Sequence, residues 1–150
     1  MRRKIVLATG AFDLLHYGHL NFLEEAKRAG GRNARLIVIV ARDKTVEARK
    51  GKRPIVREDQ RRALIEALKP VDDAILGFED MNYSAVIEKL KPDVIAVGYD
   101  QSDIKRAVEE IIEKKGLKIK VFEAKKLSAD DIDSSSKIKR RVIELERNNS

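Results

Sequence analysis

The sequence predicts a doubly wound, Rossmann-like α/β sandwich: a five-stranded parallel sheet with helices on both faces. Two observations predict it. Continuous apolar runs too short for helices recur along the chain, and amphipathic stretches separate them. Strand and helix patterns alternate five times, which favours a parallel sheet with right-handed crossovers. At 150 residues the chain is expected to form one domain, residues 1–150, with a core that needs no disulfide or metal.

The first four strands are read at Ile5 to Ala8, Leu36 to Ala41, Ala74 to Leu76 and Val94 to Val97. Leu20, Leu23 and Ala26 share a face of the first helix, which Gly30-Gly31 stops with a left-handed turn. Leu64, Ala67 and Leu68 share a face of the second. A third helix spans Tyr83 to about Leu90, ended by Pro92, and a fourth runs from Ile104 to Lys115, stopped by Gly116. Lys118 to Val121 alternates, as an edge strand does, and its lysines discourage sheet-to-sheet pairing. Ser134-Ser135-Ser136 opens a last helix with Ile138, Val142 and Leu145 on one face, and Asn148-Asn149-Ser150 is read as a frayed tail.

Composition bounds the chemistry. There is no Cys, which removes thiol nucleophiles and zinc-thiolate sites. No apolar run reaches the roughly twenty residues of a membrane span, and the run after Met1-Arg2-Arg3-Lys4 is too short for a secretory signal. A cytoplasmic location away from membranes is expected. Charged residues form 38% of the chain and Gln occurs only at Gln60 and Gln101, a pattern that suits heat adaptation. The net charge of +7 fits a lysine-rich solvated exterior best, then a phosphate-bearing small ligand, then nucleic acid. Seven Phe and Tyr and no Trp give a nucleic-acid platform little to stack with, so no nucleic-acid partner is expected.

In doubly wound sheets the ligand sits beyond the carboxyl ends of the strands, where strand order reverses. Three stretches qualify: Thr9 to His19, the expected loop from Arg42 to Val56, and Gly98 to Ser102. In the first, Gly10 ends a strand and Gly18 stands between His16 and His19 as a helix begins. A helix start offers unpaired N–H groups and partial positive charge to a phosphate. The two imidazoles, three residues apart, can serve the same anion. Zinc ranks below phosphate, because these are the only histidines and no His-Glu-x-x-His pattern is present. No metal site is expected on the protein. Three hydroxyls at the start of the last helix, with Lys137, make a second anion site.

The segment Gly-x-Phe-Asp-x-x-His-x-Gly-His, residues 10–19, resembles the signature of the cytidylyltransferase-like nucleotidyltransferases. Asp59-Gln60-Arg61-Arg62-Ala63-Leu64 looks like that family's segment with a triphosphate-contacting arginine, here Arg61. Ser134 to Lys139 is similar to its late Ile-Ser-Thr-Thr-Lys-Ile motif. Within the group, Ala41 to Lys44, Gly51 to Ile55, Lys69 to Asp72 and Gly98 to Gln101 look most like archaeal-type FAD synthases. Length and layout also resemble glycerol-3-phosphate cytidylyltransferases. Two stretches depart from the family pattern: Ala11 stands where Thr or Cys is usual, and Ser128 to Asp131 lacks the usual arginine.

The resemblance implies transfer of AMP from ATP to FMN, with Mg2+ or another divalent cation arriving on the ATP, and a homodimer. It implies His16, His19 and Lys44 as catalytic residues. Ala11, Phe12, His16, Tyr17, Gly18, His19, Arg61, Asp100, Ser134, Ser135, Ser136 and Lys137 are implied as nucleotide-binding. Several residues keep two readings. Asp13 orders its loop or touches the metal, and Asp100 recognises the nucleotide or caps the next helix. Lys50, Lys52 and Arg53 are a solvated run or a lid. Phe78 and Tyr83 are packing or a flavin platform. Lys125 and Lys126 are solvated or replace the missing arginine. The rival functions are a CTP-dependent enzyme with a polar phosphate acceptor, a nucleotide-binding regulator without turnover, and a nucleic-acid binder.

Overall fold

The computed structural model describes residues 2–77, 82–127 and 134–149. Five strands, β1 (Ile5–Gly10), β2 (Arg35–Val40), β3 (Asp73–Leu76), β4 (Val94–Val97) and β5 (Lys120–Glu123), form one parallel sheet in the order β3-β2-β1-β4-β5. Six helices accompany them: α1 (Tyr17–Ala29), α2 (Asp43–Lys50), α3 (Glu58–Glu66), α4 (Tyr83–Leu90), α5 (Ser102–Lys115) and α6 (Ser135–Asn148). The chain runs outward from β1 to β3, then returns to β1's other side for β4. The order therefore reverses between β1 and β4, and the crevice opens there.

Successive strand residues point to opposite faces, so each strand feeds two cores. Val6, Ala8, Leu36, Val38, Val94 and Ala96 pack against Leu23 and Ala26 of α1 and Ile65 of α3. Leu7, Ile37, Ile39, Ile95 and Val97 pack against Val86 and Ile87 of α4 and Ile104 and Val108 of α5. Gly30 closes α1 against β1, since a Cβ there would stand 2.4 Å from Val6 Cγ2. Gly31 then supplies the left-handed turn, at φ 86°.

The structure departs from expectation in four elements. Residues 42–56 are not all loop, because α2 occupies the first half and ends at Gly51 (φ 73°). Its apolar content is too low for periodicity to show, yet Thr45 and Val46 are buried. The second predicted helix, α3, is turned differently: Leu64 is 48% exposed, while Arg61 and Ile65 face inward. β5 starts at Lys120 rather than Lys118, where it can pair with Val94. α5 begins two residues early, at Ser102.

Candidate active site

A cleft of about 380 Å³ lies over the carboxyl ends of β1 and β4. Its floor is the segment after β1. Phe12 and Leu14 both adopt left-handed backbone, at φ 54° and 52°, an unfavoured state for such residues that surrounding contacts must hold. Phe12 folds its ring beneath Gly10, where a Cβ would lie 2.9 Å from the ring, so a larger residue there would have to displace the ring. Asp13 is buried, and its carboxylate accepts the N–H groups of Ile55 and Val56 at 2.8 and 2.9 Å. Its carbonyl oxygen accepts Ser135 Oγ at 2.6 Å. One residue thus ties together the first loop, the loop after α2 and the start of α6, which is the loop-ordering role.

His16 and His19 meet at the start of α1. Their rings stack with centroids 3.7 Å apart, and Phe12 meets His19 edge-on at 5.3 Å. The His16 N–H donates to His19 Nδ1 at 3.3 Å, which leaves the ring proton of His19 on Nε2. Burial, reinforced by the nearby charges of His16 and Lys50 against the opposing pull of Asp13, lowers the His19 pKa to about 3. At neutral pH His19 is therefore a neutral hydrogen-bond donor.

Of the residues expected at the site, Ala11, Phe12, His16, Gly18, His19, Asp100, Ser134, Ser135 and Ser136 line the cleft. Tyr17, Lys44, Arg61 and Lys137 do not. Tyr17 is 55% exposed on the outer side of the first turn. Lys44 is exposed, and the helix that sequence reading did not find explains why. Val46, Arg49 and Lys50 lie on the cleft side of α2, at spacings of three and four residues. Lys44, two residues before Val46, is not among the residues that line the cleft. Arg49 and Lys50 bring the cations to this wall.

Arg61, expected to contact the triphosphate, lies outside the cleft lining. Its side chain is fully buried, with Nε on the Val56 carbonyl at 2.8 Å and Nη1 on the Ala11 and Ala41 carbonyls at 2.6 and 2.7 Å. Nη2 pairs with Asp43 at 2.7 Å. In this structure its donors are directed at protein acceptors beneath the cleft. Lys137 uses its N–H on Ser134 Oγ, at 3.2 Å, which makes Ser134 the cap of α6.

Other readings resolve by position. Asp100 lines the cleft, and the cap of α5 is instead Gln101. Gln101 accepts the Gly98 N–H at 2.8 Å and donates to the Thr9 carbonyl at 2.9 Å, joining the β1 and β4 loops across the crevice. Sequence reading did not single it out, although it lies in the stretch marked by the strand-end rule. Tyr83 packs into the second core, away from the cleft lining. Lys125 reaches the cleft, whereas Lys126 lies 5.6 Å from the centroid of the Tyr99 ring. Arg53 of the basic run pairs with Glu47 at 3.1 Å. Phe78 and Ser128 to Asp131 fall outside the described residues.

Among the described residues no cluster of three or more His, Asp or Glu side chains could cage a metal, and no helix is long and apolar enough to cross a membrane. What the cleft offers is a helix start, paired imidazoles, serine hydroxyls and basic side chains around one volume. That arrangement suits a polyphosphate.

The chain is similar to known proteins. Residues 7–141 match the family described as cytidylyltransferase-like. An FAD synthase of Methanobrevibacter smithii is 46% identical over 143 residues, covering 95% of this chain and 93% of its own. One from Ferroglobus placidus is 47% identical over 142 residues, covering 95% of this chain and 90% of its own. Among solved structures, a Thermoplasma volcanium chain described as a lipopolysaccharide core biosynthesis protein matches with a TM-score of 0.75 and 40% identity. That match covers 85% of this chain and 100% of that one. This chain belongs to the cytidylyltransferase-like family.

Proposed function

We infer that this protein is an FAD synthase, an FMN adenylyltransferase that transfers AMP from ATP to FMN and releases pyrophosphate. The observation that carries the reading is near-full-length identity of 46–47% to archaeal FAD synthases. The cleft supports it, since a histidine pair at a helix start and a serine-opened helix face one volume.

In this reading an FMN phosphate oxygen attacks the α-phosphorus, a new P–O bond forms, and the bond to the β-phosphate bridging oxygen breaks. The attacking group is already an anion, so catalysis is mainly positioning and charge neutralisation. His19 donates from Nε2 to a phosphate oxygen, and His16 stacks beside it on the same anion. Lys50 takes the role expected of Lys44, with Arg49 alongside. The Ser136 hydroxyl and the backbone N–H groups at the N-terminus of α6, that of Ser135 among them, hold the departing pyrophosphate, while Asp100 faces the nucleoside. ATP would bring Mg2+ or another divalent cation with it, which would add charge neutralisation to that of Lys50 and Arg49. In the same reading residues 1–150 act as one domain, and the protein works as a homodimer in the cytoplasm.

The test is pyrophosphate release by the purified protein with Mg2+, crossing ATP and CTP against FMN, glycerol 3-phosphate and no acceptor. Release with ATP plus FMN alone, lost in His16→Ala, is the expected result. Release with CTP and glycerol 3-phosphate would overturn the substrates, and silence in every combination would overturn the enzyme.

A further inference from the structure

Strand β1 follows its two neighbours for unequal lengths. Its pairing with β2 runs to Gly10 opposite Val40, whereas its pairing with β4 ends earlier, at Ala8 opposite Ala96. Past that point β1 and β4 part and the cleft opens between them. Backbone groups that leave a ladder still need hydrogen-bond partners. The Thr9 carbonyl and the Gly98 N–H lie just beyond the last paired residues, and both find a partner in one side chain. Gln101 accepts the Gly98 N–H through Oε1 at 2.8 Å and donates through Nε2 to the Thr9 carbonyl at 2.9 Å. A carboxamide carries an acceptor and a donor side by side, and turning it over would set donor on donor and acceptor on acceptor. Only one orientation serves both strands.

The two anchors belong to halves of the cleft with different tasks. Thr9 leads directly into Gly10 and the loop that carries His16 and His19. Gly98 and Gln101 are the two ends of a tight turn, closed by the Gln101 N–H on the Gly98 carbonyl at 3.0 Å. Tyr99 and Asp100 stand at its centre and line the cleft. The turn has little slack, since a Cβ on Gly98 would lie 3.0 Å from Asp100 Oδ1. The Gln101 amide is thus a strut between the histidine loop and the Asp100 turn.

We propose that Gln101 is a positioning residue that fixes the span between the phosphate-holding wall and the nucleoside-facing turn, and so favours ligands that fill both at once. This rests on the placement of phosphates at His19 and nucleoside at Asp100 given above, and not on the identity of the acceptor. The amide faces backbone on both sides, so it acts through the walls it joins. When two halves of a ligand are linked, the second binds at an effective concentration set by how well the two sites match its length. A changed span therefore weakens a two-ended ligand and spares a one-ended one. The same mismatch displaces the α-phosphorus, where an error of about 1 Å can cost roughly a hundredfold in rate.

Isothermal titration calorimetry of the full chain with Mg2+ tests the proposal by comparing ATP with inorganic tripolyphosphate, which fills only the phosphate wall. CTP runs alongside ATP, and circular dichroism checks that each variant is folded. Gln101→Leu removes both bonds at similar size. Gln101→Glu, assayed at pH 8, keeps the acceptor for Gly98 and removes the donor to Thr9. Being the smaller change, it carries the test if the leucine variant does not fold. Each variant is expected to weaken the nucleotide by about tenfold or more and to leave tripolyphosphate within about threefold of wild type. Equal losses for both ligands would reduce Gln101 to a general support of the fold, and no loss for either would leave the strut without effect. Both outcomes overturn the proposal. So does a wild type that binds neither nucleotide more tightly than tripolyphosphate. No acceptor enters the titration, so a protein that binds ATP but never adenylates FMN would overturn the reaction assigned above and leave this result standing.

Discussion

Arg61 donates to the carbonyl oxygen of Ala11 at 2.6 Å from beneath the loop that follows β1. The same guanidinium also holds Ala41, Val56 and Asp43. It therefore pins the residue before Phe12, the end of β2 and the loop after α2 to a single rigid fork. Arginine suits this post, because its planar donors reach several acceptors at once and its charge is balanced by Asp43.

Arg61→Ala is expected to destabilise the fold by about 3–5 kcal/mol, since it leaves the Asp43 charge and three carbonyls without their partner. Urea denaturation measures this directly. Unchanged stability combined with weaker ATP binding would instead return Arg61 to the cleft.

Lys50→Ala is expected to lower kcat by roughly a hundredfold, the scale of losing one charged group at a transition state. Lys44→Ala should stay within about twofold of wild type, because Lys44 is exposed and does not line the cleft. Steady-state pyrophosphate release for the two variants decides between the positions, and equal losses would count against the assignment.

His19 gives stability a pH dependence of defined sign. Its folded pKa is about 3, against an ordinary 6.5, so between those values the unfolded chain takes up a proton that the folded chain refuses. Stability should therefore fall as pH drops below 6.5, by up to about 1.4 kcal/mol per pH unit for one such group. Urea midpoints at pH 7, 6 and 5 measure the slope, and His19→Gln should flatten it.

Asp93 acts in a lower window. It accepts the Ile5 N–H at 2.8 Å and pairs with Arg2 at 2.6 Å, and these contacts hold its pKa below the ordinary 3.8. Its contribution is present above that value and is lost as pH falls through the lowered one. Asp93→Asn should thus lower the melting temperature at pH 6 and make little difference at pH 2. A loss that is the same at both pH values would show that its charge does not matter.

The sequence by itself determined the strands and the site's address. Runs such as Leu36 to Val40 are apolar at every position because both faces of the sheet are covered, and that signal is local. The glycines and histidines of residues 10–19 likewise declare a tight turn into a helix start. Tertiary structure decided what the cations do. Whether Lys44 or Lys50 faces the cleft depends on the phase of α2, a helix too polar for periodicity to reveal. Whether Arg61 grips a ligand or the protein depends on carbonyls 50, 20 and 5 residues away in the chain, which converge only once the sheet has formed. A guanidinium takes whichever acceptors surround it, and three buried carbonyls and a carboxylate beneath the cleft leave this one facing inward.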